Sequence, residues 1–215
     1  MTPMRGLYPI VDLDTLAARN VAPLDYAEAL LTARPRLLQL RAKHQTPRDT
    51  LALLTALQPL CARHGAILVN NDRPDLALLA GAGAVHVGQD DLPLAEVRRL
   101  PGSLKVGVST HDLAQLARAL EQRPDYVALG PVFATRSKQG ADPALGLAVL
   151  KQGAGLANAA GVPLVAIGGL ELGHASELAS LGVMPAIISD LLADGPNFAS
   201  VSARSLAWQT ALGSA

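Results

Sequence analysis

Gln39, Arg41 and Lys43 alternate with Leu38, Leu40 and Ala42. On an extended strand this spacing turns the three polar side chains to one face and the apolar ones to the other. Two fixed cations beside an amide suit a diphosphate, with arginine as a bidentate fork and lysine as a compact charge. The competing reading is a solvated strand end held by structural ion pairs. Asp72 and Asp91 each follow a separate apolar run. Paired carboxylates offer hard oxygen ligands, and magnesium takes one or two of them with phosphate oxygens and water completing its shell. Taken singly, Asp72 could instead cap a helix before Arg73-Pro74, and Asp91 one that begins near Pro93. As a pair they point to magnesium. Asp90 reads as solvated.

Further along, Thr135, Ser137 and Lys138 lie between Gly130 and Gly140. Two hydroxyls with an adjacent lysine on a flexible segment make an anion clamp, and a long loop there is a candidate lid. An ordinary basic surface loop is the alternative. Gly168-Gly169 and Ser189 end two later apolar runs. Glycines let backbone N–H groups approach a phosphate without interference from a Cβ; two tight turns are the alternative. The histidines carry less. His86 reads as a satisfied core residue, His44, His64 and His174 as exposed or structural, and His111 as titratable or simply at a helix entry. No zinc spacing, nucleophile elbow or Walker loop occurs.

These residues need elements to hold them. Strand-like runs are expected at 7–11, 37–41, 66–70, 84–87, 104–109, 125–130, 163–168 and 185–189. Helical segments at 24–33, 47–64, 73–80, 112–122, 145–160, 172–181 and 196–213 separate them. The runs are nearly continuous in apolar residues, as parallel strands covered by helices are. About eight βα units without a linker predict an α/β fold, a (β/α)₈ TIM barrel, as one domain over residues 1–215. A doubly wound open sheet is the alternative. Nearly every run ends in polar residues or glycine: Asp12, then Gln39 to Lys43, Asn70 to Asp72, Gly88 to Asp91, Ser109 and His111, and the later loops. A barrel gathers those ends on one face. Gly81 and Gly83 mimic a dinucleotide fingerprint but fall after a helix and before a strand, so they read as a helix-ending turn.

Composition narrows the function. Half of the 215 residues are hydrophobic and only 3% are aromatic. Lys plus Arg equals Asp plus Glu, at 18 each, so there is no general electrostatic pull toward nucleic acid or an anionic membrane. The lone Cys61 permits no internal disulfide and reads as a buried structural thiol. No signal peptide or membrane span is expected, and a cytoplasmic protein acting on small molecules is.

In order, the motifs GLYPIVD, QLRAK, NDRPDLAL, VHVGQDDLP, GVSTH, DYVALGPVFATRSK, VAIGGL and AIIS resemble the thiamine phosphate synthase family across almost the whole chain. The resemblance implies a (β/α)₈ barrel. It also implies a magnesium-dependent transferase joining hydroxymethylpyrimidine diphosphate to hydroxyethylthiazole phosphate with release of diphosphate. Carried over by motif, Gln39, Arg41, Lys43, Asn71 and Ser109 would contact the pyrimidine substrate, and Asp72 and Asp91 would hold magnesium. Thr135 and Ser137 would bind near the thiazole phosphate and the diphosphate, and Lys138 would neutralise the leaving group. Gly169, Ile188 and Ser189 would cradle the thiazole phosphate. Small homo-oligomers are implied as well. The chain departs from the family at Asn70, usually apolar, and at Arg136 and Ser137 in the loop. It departs again at Asp190, which is expected to bring negative charge beside the phosphate. Competing functions are a related thiazole tautomerase, with His111 as proton shuttle, and a non-catalytic phosphate-binding barrel.

Overall fold

The computed structural model describes residues 5–135 and 143–213. Eight strands form a closed parallel barrel in sequence order. They are β1 (Tyr8–Asp12), β2 (Leu37–Arg41), β3 (Ile67–Asn71), β4 (Ala84–Val87), β5 (Lys105–Thr110), β6 (Tyr126–Leu129), β7 (Leu164–Ile167) and β8 (Met184–Ile187). The helices are α1 (Leu13–Ala17), α2 (Pro23–Leu31), α3 (Pro47–His64), α4 (Pro74–Leu79), α5 (Leu94–Val97), α6 (Leu113–Glu121), α7 (Gly146–Ala160), α8 (Ala175–Ser180) and α9 (Phe198–Ala211). The expected strands are found within one or two residues of their bounds. The open-sheet alternative falls with the pairing of β1 to β8.

Local chemistry explains the helix bounds. The Thr46 side chain accepts the Asp49 N–H, Pro47 opens α3 with a φ already suited to it, and Gly65 ends it at a φ of 71°. Asp112 caps α6 by accepting the Gln115 N–H at 2.7 Å. The short α1 escapes the sequence reading because a single turn leaves little periodicity; Asp12 starts it by accepting the Thr15 N–H at 2.8 Å. Gly81 lies at a φ of 69° just past α4, as the helix-ending turn requires.

Side-chain alternation splits the core into two layers. Leu38, Leu40, Val85, Val127 and Leu129 face the helices. Tyr8, Ile10, Val69, Tyr126, Val165 and Met184 fill the barrel. Both layers are apolar, which is why the strands read as unbroken hydrophobic runs. Gly107 makes room for a large interior side chain: it pairs with Tyr126, and a Cβ at 107 would lie 2.0 Å from Tyr126 Cζ. Cys61 is fully buried in the helical layer, and burial pushes its thiol up to about 12. It is the inert thiol expected. Among the described residues, no helix is long and apolar enough to cross a membrane.

Candidate active site

A cavity of about 510 Å³ opens at the C-terminal ends of the strands, a size suited to a small-molecule site. It is lined by Gln39, Arg41, Lys43, Asn71, Asp72, Asp91, Ser109, Thr135, Gly169, Ile188 and Ser189, so residues scattered over 150 positions share one surface. Arg136, Ser137 and Lys138 lie outside the described residues.

The strand-two trio does share a face, with Arg41 ending β2 and Lys43 two residues beyond it. Gln39 sits deepest, 3% exposed, and donates from Nε2 to Tyr8 Oη at 2.7 Å. Arg41 pairs in register with Asp12, and its Nη1 donates to Asp12 Oδ2 at 2.5 Å. Asp12 is therefore both helix cap and anchor for the guanidinium, a partnership that single-residue reading of its position missed. The buried carboxylate holds Arg41 in one pose, leaving its other N–H groups for a ligand.

Neither candidate carboxylate caps a helix. Asp72 takes a left-handed conformation, φ 64°, which ends β3, and its N–H donates to the His86 carbonyl at 2.8 Å. Its Oδ2 accepts from Lys43 Nζ. The residue at the cap of α4 is Arg73, without a side-chain cap bond. Asp91 Oδ2 accepts the Gly88 N–H at 2.7 Å, while Pro93 stands at the cap of α5. Burial raises the Asp91 carboxyl above its usual range; the Gly88 amide and Lys43 lower it, and neighbouring Asp72 raises it again. Two crowded carboxylates of this kind are relieved by a cation between them. The donor set is hard oxygen and carries only two carboxylates, which fits magnesium completed by phosphate oxygens and water. Among the described residues no group of three or more His, Cys, Asp or Glu side chains gathers to hold a metal.

On the far side, the loop after β6 is zipped to the end of β7. Val132 N–H donates to Ile167 O at 2.9 Å and Phe133 N–H to Gly168 O at 3.0 Å. Gly168 and Gly169 have φ of 99° and 62°, and a Cβ at 169 would lie 2.5 Å from Ala134 O. The glycine pair is thus required by this close approach and by the left-handed backbone. Phe133 stacks on His174 at 4.3 Å, and His174 Nδ1 accepts the Glu171 N–H.

Three expectations need correcting or completing. The eighth strand stops at Ile187, and Ser189 opens a 3₁₀ turn over Ser189–Leu192, so it is not a strand end. Asp190 does not put charge beside a phosphate. Successive residues of a 3₁₀ turn point about 120° apart, and its carboxylate faces α9. There it accepts from Arg204 Nη2 at 2.7 Å and from Trp208 Nε1 at 2.7 Å. Asn70 points out of the barrel and donates to the Arg73 carbonyl at 2.8 Å, which accounts for an amide where an apolar residue is usual.

His86 is satisfied, as expected of a core histidine, but it also lines the cavity. Its Nε2 is 2.8 Å from Ser109 Oγ and its Nδ1 3.1 Å from Tyr126 Oη. His111 lines the cavity too, with Nδ1 2.9 Å from the Gly130 carbonyl. Tyr8 and Gln89 also line the cavity, and Gln89 donates to the Ser109 carbonyl at 2.5 Å. The inward alternation of Tyr8, Ile10 and Asp12 was the available signal for Tyr8.

Comparison with known proteins follows the same lines. A family model described as thiamine monophosphate synthase matches residues 7–191. A thiamine-phosphate synthase from Laribacter hongkongensis is 46% identical over 161 residues, 74% of each chain. One from Methanoculleus marisnigri is 37% identical over 202 residues, 93% of this chain and 92% of its own. Among solved structures, a thiamine phosphate pyrophosphorylase from Pyrococcus furiosus superposes with a TM-score of 0.82 at 24% identity, covering 98% of this chain and 96% of its own.

Proposed function

The chain belongs to the thiamine monophosphate synthase family, a family of transferases, and on that premise we propose that it joins hydroxymethylpyrimidine diphosphate to hydroxyethylthiazole phosphate. The products are thiamine phosphate and diphosphate. The observation that carries the reading is the meeting of Arg41, Lys43, Asp72 and Asp91 in one cavity. Such a site stabilises departing negative charge.

The step is a dissociative substitution. The bond from the pyrimidine methylene carbon to the diphosphate oxygen breaks, and the electron pair leaves on diphosphate. The thiazole nitrogen lone pair then forms the new carbon–nitrogen bond. Arg41, Lys43 and Lys138 hold the leaving group, while Gln39, Asn71 and Ser109 orient the pyrimidine. Thr135, Ser137, Gly169, Ile188 and Ser189 hold the thiazole phosphate so that its nitrogen faces the methylene. Orientation of two substrates supplies much of the acceleration. Asp72 and Asp91 would hold magnesium, which when bound supplies positive charge to the phosphate oxygens. The reading takes residues 1–215 as one catalytic domain. It expects a small homo-oligomer, and a cytoplasmic location fits the single buried thiol.

The test is diphosphate release by the purified protein from the pyrimidine diphosphate, with and without magnesium and thiazole phosphate. Release that needs both, with coupled product, is expected. Isomerisation of the thiazole phosphate at His111, or binding without release, would replace this reading with the tautomerase or the binding protein.

A further inference from the structure

Beneath the cavity runs a continuous hydrogen-bonded chain through five strands. Gln39 Nε2 donates to Tyr8 Oη at 2.7 Å, and Tyr8 Oη lies 2.8 Å from Tyr126 Oη. Tyr126 Oη meets His86 Nδ1 at 3.1 Å, and His86 Nε2 meets Ser109 Oγ at 2.8 Å. The rings are packed as well as bonded. Tyr8 meets Tyr126 edge-on at 5.8 Å, and His86 stacks on Tyr126 at 5.5 Å. Tyr126 does not line the cavity; the other four residues do.

Every inner member is buried, and burial favours the neutral form of a phenol or an imidazole. A neutral phenol has one proton, and a neutral imidazole has one N–H and one lone pair. When each hydroxyl accepts one bond and donates one, a row of such groups runs in a single sense. Gln39 donates at its end, so in that row Tyr8 donates to Tyr126 and Tyr126 to His86 Nδ1. The imidazole proton then sits on Nε2 and goes to Ser109 Oγ. That leaves the Ser109 hydroxyl proton for the cavity, and leaves the Gln39 carbonyl oxygen as an acceptor.

We propose that Tyr8, Tyr126 and His86 are positioning residues: a one-directional hydrogen-bond relay that commits Ser109 to donate into the cavity and Gln39 to accept from it. The ligand complementary to that pair carries an acceptor nitrogen or oxygen and a separate N–H donor, as an aminopyrimidine does. The choice of ligand rests on the synthase reading; the polarity of the relay does not. Tyr126 is where the relay can be cut without touching the ligand, because its hydroxyl acts only through its neighbours.

The test begins with the tautomer of His86, read by ¹⁵N NMR of the histidine-labelled protein at neutral pH, with His86→Gln assigning the signal. A one-bond N–H coupling at Nε2, and none at Nδ1, is expected. A proton on Nδ1 would overturn the proposal, since the row would then run the other way. The second measurement is a kinetic cycle with Tyr126→Phe and Ser109→Ala. Tyr126→Phe is expected to lower kcat/KM for the pyrimidine substrate by roughly 3- to 10-fold, leave KM for the thiazole substrate unchanged, and add nothing to Ser109→Ala. Fully additive losses would mean a structural role only. Should Tyr126→Phe fail to fold, the wild-type tautomer needs no variant and still decides the direction of the row. A protein with Nε2–H on His86 but no diphosphate release would sink the synthase reading while leaving the relay standing.

Discussion

Asp72 bonds Lys43 through its side chain and His86 through its backbone, and it crowds Asp91. A single residue thus ties the cationic strand end to the acidic pair. Asp72→Asn keeps the shape and removes the charge. It is expected to lower activity by at least about 100-fold and to abolish the response to magnesium. A variant that still answers to magnesium at full activity would remove Asp72 from the site. Lys138, read from the loop motif, has a different signature. In the proposed mechanism its charge would matter most as the leaving group departs, so Lys138→Ala is expected to lower kcat by about 100- to 1,000-fold with little change in KM. Weaker binding at full turnover would show that Lys138 only recruits substrate.

At the scale of elements, the strand-six loop and the β7 turn act as one unit, because two backbone hydrogen bonds zip them together over Gly168 and Gly169. Gly169→Ala places a Cβ 2.5 Å from the Ala134 carbonyl at a φ of 62°. The backbone must move, and any phosphate held by this turn loses its seat. Overpacking and the left-handed conformation together are expected to cost about 1–3 kcal/mol of stability and to raise the thiazole phosphate KM. Denaturant melts and initial-rate kinetics check the two parts separately. Unchanged KM with lost stability would show that the turn packs but does not bind.

Across the whole molecule, α9 ties the end of the chain to its beginning. Gln209 Oε1 accepts the Leu7 N–H at 2.8 Å, just before β1. Arg204 and Trp208 of the same helix hold Asp190 in the turn after β8. One helix therefore braces both strands at the seam where β1 meets β8. Arg204→Ala leaves a buried carboxylate short of its cation. The loss is expected to be about 3 kcal/mol, and kcat per folded molecule should stay near wild type because Asp190 faces away from the cavity. An unchanged melting temperature, or a selective loss of thiazole phosphate affinity, would contradict that account.

The amino-acid sequence by itself determined the strands, the long helices and the face of the barrel that carries polar residues. Those depend on local patterns: apolar runs of strand length, caps such as Thr46 and Asp112, and glycines where the chain turns. It also determined that Gln39, Arg41 and Lys43 share a side, because period-two alternation is a property of any strand. Tertiary structure alone decided who partners whom. Asp12 finds Arg41 only because β1 and β2 pair in that register, and Tyr126 reaches Tyr8 and His86 only because the barrel closes around Gly107. Asp190 turned from an expected threat to phosphate binding into a partner of Arg204, since one residue of 3₁₀ turn redirected its side chain. Such pairings depend on separations of tens to hundreds of residues, and no local pattern encodes them.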